Sequence, residues 1–388
     1  VEVSPKGWDE AGSGTLLAGI KANYPAIMQP LTNPGKEGSP AKEAVLAGAV
    51  DDYGMSYYFR GNVTNNYVQF ANKCWRIVRV TGDGSIKLVL HNDNVNNVTS
   101  PCDVANNSAN AAFARYSGTT YTTKYNEKND DNAYVGFMYG TAGSSKYAET
   151  HANINKSTIL QNLETWYKNN LATYESKLAD TIWCNDKSTK TNQTLIYAML
   201  DTTTNKLDIS SDNYPGLGYG TNYTLYSGRQ RVRSNYNYTN TSYKTYGPVG
   251  TGPTLICPLD NDGGKLSKLT VLDTINGNGA LNYKVGLLTV DEVLYAGFID
   301  GNGYDALNYN NSSIKSYLIE NTSSSGGWWS FSPNYFVRYA YMFSVGGIGI
   351  VAYNWVTGTG GLRPAVSLTS ATTISGGNGT SSNPFVIN

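Results

Sequence analysis

One stretch limits the possible folds more than any other. Between residues 56 and 90, aromatic and β-branched residues recur in short runs. These are Ser56-Tyr57-Tyr58-Phe59-Arg60-Gly61, Tyr67-Val68-Gln69-Phe70, Cys74-Trp75-Arg76-Ile77-Val78-Arg79-Val80 and Ser85-Ile86-Lys87-Leu88-Val89-Leu90. Such side chains suit the pleated, packed surface of a sheet. The turn Thr81-Gly82-Asp83-Gly84 joins the last two runs, and Asp-Gly tolerates the positive φ that a tight hairpin demands. Antiparallel sheet is therefore expected here. With a period of two, Trp75, Ile77 and Arg79 share one strand face, and Cys74, Arg76, Val78 and Val80 the other. Arg76 falls beside Val78 and is expected to pair with a carboxylate or with carbonyls at a sheet rim.

Helical signals are fewer. Ser157 precedes a stripe of Leu160, Leu163, Trp166, Tyr167 and Leu171, which predicts a capped helix with this stripe in the core. A second amphipathic turn over 174–179 leads to Thr181-Ile182-Trp183-Cys184. Thr289-Val290-Asp291-Glu292 is a capping box opening a short helix, with Val293, Leu294 and Phe298 on its buried side. Another short helix is expected within 311–320. After Gly326-Gly327, Trp328-Trp329 opens a set of short strands. Segments 341–345 and 349–353 are joined by Gly346-Gly347-Ile348, and 363–368 is a closing strand with Pro364 at its start or at an edge. Near the front, 15–21 predicts a short helix, and 41–49 has helical composition.

Lys+Arg and Asp+Glu both number 29 in 388 residues. That balance argues against nucleic acid or an acidic membrane surface as the main partner. Only 15% of residues are charged, so surface polarity falls to Asn, Ser, Thr, Gly and 31 Tyr. Tyr, Ser, Asn and Gly are the residues of adaptable contact surfaces, and of β-rich folds with Tyr and Thr on exposed strands. No apolar run is long enough to span a membrane. The first residue, Val1, suggests a processed or trimmed N-terminus. Cys74, Cys102, Cys184 and Cys257 fit two disulfides in an exported chain. Of the three connectivities, Cys74–Cys102 with Cys184–Cys257 is the simplest. No CxxC pair occurs and only His91 and His151 are available, so no metal or other cofactor is expected.

The stretches 91–156 and 185–256 are rich in Asn, Ser, Thr and Tyr and poor in aliphatics. They read as long polar insertions with brief strands, one of them over 134–140. Arg229, Arg231 and Arg233 alternate and would share one face of a strand, either a small basic patch or a guarded sheet edge. Asp260-Asn261-Asp262-Gly263-Gly264 and Asp300-Gly301-Asn302-Gly303 resemble calcium-loop fragments, but position 12 is Val271 or Asn311, not the Glu an EF-hand needs. Turn chemistry is the better reading.

The last quarter carries a resemblance. Trp328-Trp329-Ser330-Phe331-Ser332-Pro333, the aromatic–Gly hairpins and Gly361-Leu362-Arg363-Pro364-Ala365-Val366-Ser367-Leu368 are similar to C-type-lectin-like modules in uncharacterised surface proteins of gut Firmicutes and their relatives. Those proteins also show pieces similar to Tyr57–Gly61, Trp75–Arg79, Trp166–Leu171 and Gly377–Ile387. Some relatives carry type IV prepilin leaders. The resemblance implies an α+β, β-rich fold, with a lectin-like core of short antiparallel strands, two or three helices and long polar loops. Residues 1–55 would be a leader or assembly segment, 56–370 the lectin-like body, and 371–388 a C-terminal strand tail. In such modules the first and last strands pair, so the Trp75 hairpin and the 363–368 strand would share a sheet. The Glu-Pro-Asn and Trp-Asn-Asp elements of calcium-dependent sugar binding are missing.

No Gly-x-Ser-x-Gly elbow, P-loop or His-Glu-x-x-His is present. The expectation is a non-catalytic extracellular surface or filament-forming protein, adhesin-like. Its partners would be copies of itself, a glycan or a host protein. The candidate contact residues are Trp329, Tyr335, Tyr339, Tyr341, Tyr353, Asn354 and Trp355. Among them Tyr339, Tyr353, Asn354 and Trp355 stand foremost, and Trp328 and Trp329 are assigned to core and rim. The alternative is a secreted glycan-active enzyme using a carboxylate pair such as Asp130-Asp131 or Asp291-Glu292.

Overall fold

A computed structural model describes residues 3–27, 41, 43–190, 223–232, 252–258, 265–300, 314–322 and 327–388. Five strands come early: β1 Val45–Asp51, β2 Gly54–Arg60, β3 Tyr67–Phe70, β4 Lys73–Val80 and β5 Ile86–Asn92. Central β4 pairs antiparallel with β5 along one edge. Its other edge is shared by β3, with Tyr67 opposite Arg76, and β2, with Tyr57 opposite Val80. Gly84 closes the β4–β5 turn at φ +85°, where a Cβ would collide with the Lys6 carbonyl. Irregular register between Cys74 and Trp75, and between Ile77 and Arg79, interrupts strict alternation. All eight β4 residues are buried, because both faces of the strand are covered.

The strand Ala365–Leu368 lies antiparallel on β5, with Val366 opposite Leu88. Two segments far apart in the chain thus meet in one sheet, as the resemblance implies. Phe385–Ile387 runs parallel to β3 and pairs with Ile374–Gly376. A second sheet is built from Trp328–Val337, Tyr339–Val345 and Ile350–Trp355, paired in that order. Tyr223–Tyr226 flanks it on one side and Ile299–Asp300 on the other.

The α-helical segments among the described residues are α1 Leu16–Asn23, α2 Tyr147–Thr150, α3 Thr158–Asn170, α4 Ser227–Val232 and α5 Val290–Tyr295. The Ser157 hydroxyl accepts from the Leu160 N–H at 3.3 Å and starts α3, whose stripe of Leu160, Leu163, Trp166 and Tyr167 is buried. In α5 both bonds of the capping box form. One hydrophobic cluster unites Trp75 of β4, Trp166 of α3, Leu294 of α5, Trp183, and Trp328 and Phe343 of the second sheet. The architecture is α+β and strand-rich, with its core between the sheets and α3.

Both disulfides have the simplest pairing, Cys74–Cys102 and Cys184–Cys257, with Cα–Cα distances of 5.0 and 5.5 Å. Arg76 pairs with a carbonyl and a carboxylate as expected, but it does so from the buried central strand and not from a sheet rim. Its guanidinium donates to Asn66 Oδ1 at 2.7 Å and to the Val63 carbonyl at 2.6 Å, and lies 3.4 Å from Glu320.

Other expectations are corrected. The 41–49 segment is not helical; its Ala-rich run forms β1, held by seven register partners on β2. Helix propensity is overridden by an available sheet edge. Only Met138–Tyr139 of the 134–140 run is strand, and Asn132–Val135 is a 3-10 turn capped by Asp131. The 174–179 turn is a 3-10 helix, Ala172–Lys177. Of 311–320, residues 314–320 carry turns and no helix, and the rest lies outside the described residues. The first fifty-five residues contribute Trp8, Leu16, Leu17 and Ile20 to the main cluster, and 91–156 contributes Phe113, Tyr125, Val135 and Phe137.

Candidate functional site

The candidate contact residues gather on the second sheet. Register places Tyr335 opposite Tyr341, and Tyr341 opposite Trp355, so these three form a row across three strands. Tyr339 and Tyr353 sit two residues from Tyr341 and Trp355 on the same faces of their strands. The rings of Tyr335 and Tyr341 stack with centroids 4.4 Å apart. Tyr353 meets both edge-on, at 5.4 and 5.7 Å. Trp355 contacts Tyr339 at 5.8 Å and Tyr341 at 6.2 Å. These separations lie within the range of favourable ring pairs.

Burial grades along the row. Tyr335 is buried, Tyr341 and Tyr353 are half-buried, and Tyr339 and Trp355 are 45% and 49% exposed. Of the seven tryptophans in the chain, six are buried, so Trp355 stands apart. Trp329 is one of the six and is not a surface residue. Its ring packs edge-on against Tyr125, and its Nε1 donates to the Thr123 carbonyl at 2.8 Å. Asn354 is half-buried, and its Oδ1 accepts the Trp355 N–H at 2.8 Å. Its amide packs where Gly358 leaves room, since a Cβ there would come within 2.7 Å of Asn354 Nδ2. Asn354 therefore sets the backbone at Trp355.

Sequence reasoning missed the cation behind the row. Arg229 and Arg231 lie on α4, not on a strand, and both are buried. The Arg229 guanidinium carbon is 5.5 Å from the Tyr335 ring centroid and 5.3 Å from that of Tyr353. Arg231 turns the other way and pairs with Asp186 at 2.7 Å and Asp291 at 2.6 Å. Arg233 lies outside the described residues, as do 260–264 and 301–303. Burial raises the pKa of Tyr335 and of Tyr341, so both remain neutral phenols able to donate.

Of the acids considered for catalysis, Asp131, Asp291 and Glu292 are engaged in structural contacts, and Asp130 is exposed. Asp131 accepts from the N–H groups of Ala133 and Gly143, each at 2.8 Å. Asp291 is held by Arg231 and by the Thr254 N–H at 3.0 Å. Glu292 accepts from Lys87 at 2.6 Å, from Arg79 at 3.0 Å and from the Thr289 N–H at 3.0 Å, and Arg79 also pairs with Asp51. The cavity beside Asp291 and Glu292 holds about 20 Å³, roughly one water. His91 and His151 are buried, and burial lowers the pKa of each. Among the described residues no group of three or more His, Cys, Asp or Glu side chains is placed to hold a metal.

These features define a strand-rich, disulfide-bonded α+β protein with a partly exposed aromatic row. Comparison with protein-family models, with curated proteins and with solved structures gave no match.

Proposed function

We propose that this chain is a non-catalytic extracellular binding protein, adhesin-like, with a C-type-lectin-like core. Its contact face is Tyr339, Tyr341, Tyr353, Asn354 and Trp355, and its ligand is a glycan. The observation that carries this reading is the half-exposed Trp355, held beside Tyr339 and Tyr341 when every other tryptophan is buried. Ordered rings offer flat apolar area at little entropic cost, and their phenolic hydroxyls supply hydrogen bonds at the rim. A sugar ring presents the complementary surface: an apolar C–H face with hydroxyls at its edge. Two disulfides support an oxidising compartment. The antiparallel union of β5 with Ala365–Leu368 supports the lectin-like reading of the core.

The test is a glycan-array screen followed by titration of the hits. Changing Tyr339, Tyr353 and Trp355 together to Ala should abolish binding and leave the circular-dichroism spectrum and unfolding midpoint close to the parent. Unchanged affinity in a folded triple variant refutes the placement of the face. Hydrolysis of any bound glycan that disappears on mutating an acid pair favours the enzyme reading instead.

A further inference from the structure

A second site lies on the first sheet's side of the molecule, where the chain leaves β5. There a polar cavity of about 220 Å³ opens to solvent, lined among others by Asp93, Asn94, Asn96, Asn106, Ser108 and Arg115. It is smaller than the roughly 300–1,000 Å³ of sites for drug-sized ligands. Its volume suits a single small ring. Among the described residues no aromatic side chain lines it.

Its lining carries one anion and one cation, Asp93 and Arg115, and the two differ in how far they are already engaged. Asp93 is committed: it pairs with Lys73 at 2.8 Å, accepts from Trp166 Nε1 at 3.0 Å, and accepts the backbone N–H of Arg115 at 2.8 Å. Although Asp93 lies near enough to act on it electrostatically, the Arg115 guanidinium is left, among the described residues, without a carboxylate in ion-pair contact. It lies 4.4 Å from the Tyr121 ring centroid, and its Nη1 donates to the carbonyls of Asn110 and Phe113. Among the described residues Nε and Nη2 make no hydrogen bond. Stacking and two carbonyls thus fix the orientation of a half-buried guanidinium and leave part of its fork unused. Burial lowers the Arg115 pKa against the opposing pull of Asp93 and Tyr121, and an anion bound at the free side of the fork would act in the same direction as Asp93.

We propose that this cavity binds a carboxylated monosaccharide, with Arg115 receiving the carboxylate and the surrounding amides and Ser108 receiving the hydroxyls. Arg presents a planar fork that matches a carboxylate, which a spherical point charge does not. Asn side chains both donate and accept, as an array of sugar hydroxyls requires. A free amino acid fits less well, because its ammonium would need an uncommitted carboxylate and Asp93 already has three partners. The inference does not rest on the aromatic face of the second sheet.

Isothermal titration of the full chain with glucuronate, N-acetylneuraminate, glucose and inorganic phosphate tests it. One or both carboxylated sugars should bind, with glucose and phosphate weaker by roughly tenfold or more. Arg115→Lys keeps the charge and loses the fork, and should weaken that binding by roughly tenfold. Asn96 is exposed at the rim, so Asn96→Trp should block entry without disturbing the fold, which keeps the test sound if Arg115 variants fail to fold. Absence of heat with both carboxylated sugars overturns the proposal. So does binding that survives Asn96→Trp, and so does phosphate binding as tight as the sugars, which would make this a general anion site.

Discussion

Glu292 is the residue whose loss should be felt most widely. It caps α5 through the Thr289 N–H and neutralises Lys87 and Arg79, and all of these groups are buried. Glu292→Gln separates the two roles, because a capping box accepts Gln as well as Glu. Arg79 keeps Asp51, whereas Lys87 loses its ion-pair partner among the described residues. Burial alone would raise the Glu292 pKa, but Lys87 and Arg79 outweigh it and hold the carboxyl down, from an ordinary 4.5 to about 2. That difference is worth about 3 kcal/mol at neutral pH. It agrees with the roughly 3–5 kcal/mol lost when one partner of a buried pair is removed. The native state binds this proton less readily than the unfolded chain. The contribution is therefore complete above pH 4.5 and drains away as pH falls toward about 2. Urea unfolding followed by tryptophan fluorescence, with disulfides intact, is the assay. Glu292→Gln should cost about 3 kcal/mol at neutral pH, the gap should narrow on acidification, and adding Lys87→Met should recover much of it. A gap under about 1 kcal/mol at neutral pH, or one that does not change with acid, refutes the reasoning.

Two further outcomes are open to direct measurement. Replacing Cys184 and Cys257 by Ser opens a link spanning 73 residues and should cost about 4 kcal/mol, slightly more than replacing Cys74 and Cys102, which span 28; equal, negligible losses in denaturant would contradict this. Gly349 sits at φ +90° in the hairpin before Ile350–Trp355, and an added Cβ would come within 2.2 Å of Ile314 Cγ2. Gly349→Ala should therefore destabilise by more than about 1 kcal/mol and weaken glycan binding by displacing Trp355, and an unchanged melting curve would count against that geometry.

What could be read from the chain follows physical range. The β4–β5 hairpin, the α3 stripe and the α5 capping box are written in residues that lie close together, and local chemistry decides them. The union of β5 with Ala365–Leu368 came from resemblance, not from local pattern. β1 was misread because Ala, Val and Leu in a short run do not reveal that β2 offers an edge. Arg229 and Arg231 were misread for a different reason. An alternating pattern of cations fits a strand, but each is placed by a partner far along the chain: Tyr335 and Tyr353 for one, Asp186 and Asp291 for the other. At the candidate face, sequence marked the right strands and could not grade burial within them. Trp329 and Trp355 look alike as letters, and only packing sends one into the core and leaves the other at the surface.

The pairing of β5 with Ala365–Leu368 also sets a clock. Arg363, which leads into that strand, donates to the carbonyl of Leu90, 273 residues earlier. At about 5–20 residues per second, a ribosome needs roughly 15–50 seconds after making one before it has made the other. Until then the outer edge of β5 has no native neighbour, and an open edge invites pairing with other chains. Completion of that edge must therefore wait until a segment 273 residues further along the chain has been synthesised.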